Sequence, residues 1–238
     1  MAHASSDTAL DHHDRTEFQL ERLILFTDAV FAIAITLLVI EIKVPELHHA
    51  TEADAMHGLL QLIPKFIGFF ISFFVIAVYW VAHHRIFRFV RRLNTSLIWI
   101  NLFFLLGIVL MPFTTAYQSE YSLLRTPWIL YSVNIIVVGL MQVRMQAYLR
   151  NRAHGLTLAH EHAHPDLDLY RPLSSPLVFL FSILVSFFLP PWTARMVPGI
   201  AFPLLGLLHS RRHRRLSAVY ERLAHRPAPE PSEAQLAP

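Results

Sequence analysis

The stretch from Ser96 to Gln118, SLIWINLFFLLGIVLMPFTTAYQ, contains no charged residue. It is longer than the roughly 20 apolar residues that carry a helix across a bilayer. Blocks of the same kind recur as LILFTDAVFAIAITLLVIEIK, IPKFIGFFISFFVIAVYWVAHHRIF and WILYSVNIIVVGLMQVRMQAY. Hydrocarbon offers backbone N–H and C=O groups no partners, so such blocks cross as helices. Only 16% of the chain is charged, against about 25% in soluble domains. Spans are expected at about 23–43, 63–87, 97–118, 128–149, 175–192 and 196–209. The last two are short and broken by Pro190, Pro191, Pro198 and Pro203. Hydropathy alone reads them as two spans or as one re-entrant hairpin.

The arginines decide between these. Arg85, Arg88, Arg91 and Arg92 follow the second block. Arg144, Arg150, Arg152 and Arg171 follow the fourth, and Arg211, Arg212, Arg214 and Arg215 follow the last. The alternate connections hold only Lys43 and Lys65, then Arg125, then Arg195. The positive-inside rule makes the arginine-rich exits cytoplasmic. Six spans are then required, with both termini inside. Trp80, Trp99, Trp128 and Trp192 fall near span ends, as interfacial belts require. The expected fold is an all-α integral membrane bundle of six helices. Residues 1–21 form a cytoplasmic segment, 22–210 the membrane domain, and 211–238 a basic tail that becomes proline-rich and disordered. The N-terminal segment has no signal-peptide pattern.

Several chemistries are excluded. With no cysteine there are no disulfides, thiolate nucleophiles or cysteine metal sites. No G-x-S-x-G, H-E-x-x-H or phosphate loop occurs, so an enzyme lacks its usual parts; an intramembrane enzyme would need facing catalytic groups at one depth, which the Asp28, His83 and His84 group could supply. Basic residues between apolar blocks suit topology, not nucleic acid.

The first span is the most informative. Asp28 lies inside an apolar helix, and an intramembrane acid marks a function or a specific partner. Depth matching puts His83 and His84, at the end of the second span, level with it. Asn101 of the third span is nearby, and Arg22 lies below on the same helix. One buried Arg–Asp–His–Asn cluster is expected. Its plainest role is to lock helices together; a proton or ion relay and a gating role are the alternatives. At 100° per residue, Ala29, Ile33, Thr36, Leu37 and Ile40 form a separate stripe pointing away from Asp28. In a monomer that stripe is an ordinary packing or lipid-facing surface. Around an oligomer axis, Ile33 and Ile40 become apolar constrictions, which gate by dewetting, with hydroxyls of Thr36 between them.

The stretch Arg22-x-x-x-Phe26-Thr27-Asp28, followed by AVFAIAITLLVIEI, resembles the R-x-x-x-F-S-D signature of the transmembrane-protein-175 family of potassium channels. YWVAHHRIF and NLFFLLGIVLMPFTTA are similar to the end of that family's second span and to its third. The resemblance covers the first half of the chain well and the second half mainly in span count. It implies a prokaryotic single-unit member that assembles as a homotetramer in the plasma membrane. The first helices would line a pore without a TVGYG filter, conducting potassium and taking no cofactor. On that resemblance Ile33 is one constriction, Thr36 the hydroxyl layer and Ile40 a second constriction. Arg22, Phe26, Asp28, His83 and His84 hold the pore helix and shape gating. Thr27 stands where the family has serine; the hydroxyl is kept and a methyl is added.

A histidine-rich loop carries His160, His162 and His164 beside Asp166 and Asp168. It reads as a solvated loop, or as a weak metal or pH-sensing site. With Asp28, His83 and His84, it supports a rival reading as a proton- or metal-cation-coupled transporter. Transporters place their ligands within the spans, and the later spans here have almost no ionisable residues. Asn134 in the fourth span reads as packing glue.

Overall fold

The computed structural model describes residues 3–47, 51–158, 161 and 164–224. The described residues are helical with connecting turns, and no strand occurs among them. In order the helices are α1 (His3–Ile40), α2 (Glu52–Gln61), α3 (Ile63–Phe87), α4 (Thr95–Val109) and α5 (Met111–Glu120), then α6 (Arg125–Arg150), α7 (Tyr170–Phe188) and α8 (Pro191–Ala224). Five stretches are long and apolar enough to cross a membrane: Glu17–Ile40, Ile63–Phe87, Thr95–Glu120, Arg125–Arg150 and Pro165–Phe188. α8 does not match them in hydropathy. Pro191, Pro198, Pro203, Gly199, Gly206 and Arg195 dilute its apolar half.

α1 packs on α3, α4 and α5, while α6 lies between α4 and α5 on one side and α7 on the other. α8 pairs chiefly with α7. Close approach of α6 to both neighbours depends on missing side chains. A Cβ on Gly107 would lie 2.4 Å from Val138 Cγ2, and one on Gly139 would lie 2.8 Å from Pro176 Cδ. Small residues at such crossings let helices gain van der Waals contact where lipid gives no hydrophobic drive. Buried hydroxyls add stitches: Thr115 Oγ1 donates to Ser72 Oγ at 2.7 Å, Ser72 Oγ pairs with Tyr131 OH at 3.1 Å, and Tyr79 OH with Ser175 Oγ at 2.8 Å.

Four features differ from a plain reading of the blocks. The third crossing is two helices meeting at Leu110, with Pro112 in the first turn of α5. Proline lacks an N–H and crowds the carbonyl one turn back. Beside this break Asn134 donates Nδ2 to the Gly107 carbonyl at 3.0 Å, so it does more than pack. Asn134→Leu is expected to cost about 1–3 kcal/mol by stranding that carbonyl. Thermal unfolding in detergent checks this, and a wild-type melting curve counts against it.

The second difference is α2, a short helix outside the spans. Its signal was present: the Thr51 side chain accepts from the Asp54 N–H at 3.2 Å, with Glu52 and Asp54 in the first turn. Third, α8 does not end near residue 209. It runs through Arg211–Arg215 to Ala224, because arginine is a good helix former and no breaker intervenes. Residues 225–238 lie outside the described residues. Fourth, α1 is continuous from His3, so the segment before residue 22 is helical from there.

Candidate functional site: the two faces of the first helix

α1 turns one face inward. Thr27, Phe31, Ala34 and Leu38 are buried, at the i, i+4, i+7, i+11 spacing of a helical stripe. Phe31 packs against Phe104, ring centroids 5.9 Å apart, and against His83 at 6.2 Å. The other face is free in the single chain. Ala29, Ile33, Thr36, Leu37 and Ile40 are all exposed, Ile33 at 58% and Ile40 at 67%. Thr36 Oγ1 lies 2.9 Å from the Ile33 carbonyl and 3.0 Å from that of Ala32. Its only proton is therefore turned back onto its own helix, and its lone pairs face outward.

The expected single polar cluster is two clusters. The inner one is a chain: Asn101 Nδ2 donates to Thr27 Oγ1 at 2.9 Å, and His83 Nε2 meets Asn101 Oδ1 at 2.8 Å. An amide oxygen only accepts, so this contact assigns the proton to His83 Nε2. The His83 ring is sandwiched between Phe87, 4.0 Å away, and Phe104, 5.5 Å away. All three polar residues are buried. Thr27 is fully enclosed with its extra methyl.

The outer cluster holds Asp28. Its Oδ1 accepts from Trp80 Nε1 at 2.9 Å, and the Trp80 ring stacks on His84 with centroids 5.8 Å apart. Trp80 was legible only as a belt residue; its role as partner to Asp28 was missed. The signal lay in spacing, because residues 80 and 84 share a helix face while His83 turns about 100° away. Arg22 lies over the Phe18 ring, 5.8 Å from its centroid, and Phe26 is half exposed at 51%. Neither joins the His83 chain.

Of the loop histidines, His160 and His162 lie outside the described residues. His164 is built into a structural network. Its Nδ1 accepts the Asp166 N–H at 3.1 Å, and its ring contacts Phe89 at 4.7 Å and Tyr220 at 5.1 Å. Burial holds its pKa below the ordinary imidazole value, which suits an accepting, neutral ring. Asp166 gathers Arg88, His213 at 3.0 Å and Arg85 at 3.9 Å, tying α3 to α8. Among the described residues no three His, Asp or Glu side chains group as metal ligands.

The family model described as endosomal/lysosomal potassium channel TMEM175 matches residues 22–112. A potassium channel of Chryseobacterium sp. (strain P1-3) is 28% identical over 71% of this chain and 83% of its own length. One from Chamaesiphon minutus is 44% identical over 42% of this chain, an aligned stretch spanning about half (49%) of that relative. The crystal structure of a lysosomal potassium-selective channel TMEM175 homolog from Chamaesiphon minutus superposes with a TM-score of 0.65 at 30% identity. It covers 82% of this chain and 98% of that one. With that identity over nearly the whole of a solved relative, this multi-pass membrane chain belongs to the TMEM175 family, a family of ion channels and not of enzymes.

Proposed function

We propose that the chain is a potassium-permeable cation channel that conducts passively through a homotetrameric pore. The pore is lined by the Ala29–Ile33–Thr36–Leu37–Ile40 face of α1. The observation that carries this reading is that face itself. It is apolar with one hydroxyl, lies opposite the packed Thr27–Phe31–Ala34–Leu38 face, and is exposed among the described residues. Ile33 and Ile40 form constrictions where a cation sheds water. Thr36 offers oxygen lone pairs between them, its proton being held by carbonyls of its own helix. The relatives named as potassium channels support the choice of ion.

In this reading the Thr27–Asn101–His83 chain and the Asp28–Trp80–His84 group hold the pore helix from behind without touching the ion. Arg22 and Phe26, both exposed, continue the lining face of α1 toward the cytoplasm. In the same reading α8 makes the sixth crossing and both termini lie in the cytoplasm of a prokaryotic cell, an orientation that the arginine-rich exits support. Reconstitution in planar bilayers, with potassium and sodium on opposite sides, tests the reading. Passive currents with a reversal potential displaced toward that of potassium are expected. Silence from the wild type and from the Ile33→Ala and Ile40→Ala variants would sink it.

A further inference from the structure

Two cavities meet between α7 and α8. The first is a cleft of about 460 Å3 whose walls include Arg85, Arg171, Arg212 and Arg214. Against these four arginines stand two carboxylates, Asp166 and Asp168. Both are already engaged. Asp168 accepts from Arg212 Nε at 2.9 Å, and Asp166 from His213 Nε2 at 3.0 Å and from Arg88. Positive charge is left over. Arg85 Nε, 3.9 Å from Asp166 Oδ1 and so beyond hydrogen-bond reach, and His209 Nε2 are buried in the cleft's lining with no hydrogen-bond partner among the described residues. A buried guanidinium N–H without an acceptor is costly, and an anionic oxygen is the acceptor it prefers.

The second cavity is an apolar groove of about 540 Å3. Leu173, Leu177 and Phe181 of α7 face Ile200 and Leu204 of α8 across it. Tyr170 belongs to both linings. Its ring meets the His209 ring at 5.2 Å, and Arg212 lies over it at 4.8 Å. A tyrosine at this junction marks the headgroup level. From Tyr170 to Phe181 the groove descends about 16 Å at 1.5 Å per residue. That is half of the roughly 30 Å hydrocarbon core, or one leaflet.

We infer that this composite cavity binds an anionic phospholipid, with the phosphate in the arginine cleft and one acyl chain in the α7–α8 groove. The inference rests on α7 and α8 crossing as a pair and not on ion conduction. A free phosphate shares the headgroup chemistry but leaves the leaflet-deep groove without a role. The cleft lies where polybasic segments meet anionic headgroups, and each arginine there strengthens attraction several-fold.

Native mass spectrometry of the full-length chain in detergent tests this, with added phosphatidylglycerol, phosphatidylcholine or inorganic phosphate. The wild type is expected to retain phosphatidylglycerol about tenfold better than phosphatidylcholine. The double variant Arg171→Gln, Arg214→Gln alters exposed side chains, so the fold should persist, as size-exclusion elution will show. It is expected to lose about tenfold or more of that retention. Ile200→Trp, which fills the groove, should lower lipid retention and leave phosphate binding unchanged. Equal retention of the two lipids by the wild type overturns the proposal, as does undiminished retention in the double variant. Phosphate binding with no effect of Ile200→Trp on lipid reveals a free-anion site and overturns it too. Loss of the oligomer mass in Ile200→Trp assigns the groove to a second copy and also overturns it. Because binding is read by mass, absence of current would leave this result intact, and loss of lipid retention would leave the conduction reading intact.

Discussion

Asn101→Leu is expected to destabilise the chain by about 2–4 kcal/mol, because it strands two buried partners at once. The amide is the middle link of a chain from α1 to α4 to α3. Leucine keeps the branched skeleton but is bulkier, so overpacking at this enclosed site adds to the loss. It can neither donate to Thr27 Oγ1 nor accept from His83 Nε2, and both residues are enclosed. Interhelical hydrogen bonds in membranes average only about 0.6 kcal/mol when the unfolded helices can find other partners. Here the folded state itself holds the orphaned groups, so the larger figure applies. Thr27→Ser keeps the acceptor and should cost less than about 1 kcal/mol. Denaturant titration in mixed micelles, followed by circular dichroism, ranks the variants. A wild-type midpoint for Asn101→Leu would show that the buried chain contributes nothing to the bundle.

The second large effect concerns conduction. Ile33→Ala combined with Ile40→Ala should raise single-channel conductance several-fold and move the potassium-to-sodium permeability ratio toward one. Each substitution removes the branched side chain that would force a cation to shed water at that level. Both residues are exposed in the single chain, so folding should be little changed. Thr36→Val is the complementary test, since it keeps the shape and removes the oxygen. Its expected result is reduced conductance with the constrictions intact. Bilayer recordings decide between these outcomes. If the double alanine variant conducts like the wild type, the narrow points of the pore lie elsewhere.

Much of the fold was legible because crossing a bilayer imposes a length and an apolar content that few other structures need. The break at Leu110 was less legible, because Pro112 sits in an uninterrupted apolar run and its consequence depends on Asn134 from another helix. The polar cluster was legible in depth but not in direction. Matching levels put His83 and His84 beside Asp28, yet adjacent residues point about 100° apart. His83 turned inward to Asn101, while Asp28 found Trp80, one turn before His84. The apolar stripe on α1 could be drawn from the sequence alone. That it is the outer face follows only once Phe31, Ala34 and Leu38 are seen packed against α3 and α4.

The opposed faces of α1 also bear on how such a protein can change over generations. Residues that hold the helix to its own chain and residues proposed to meet the ion lie on opposite sides of one helix. On the proposed pore, a substitution at residue 33, 36 or 40 would alter what passes with little debt in folding, while one at residue 27, 31 or 34 would disturb the fold and leave the lining chemistry as it was. Ion preference can therefore drift quickly on an unchanged scaffold. A deep mutational scan should find the two faces answering to separate selections, one for abundance in the membrane and one for current.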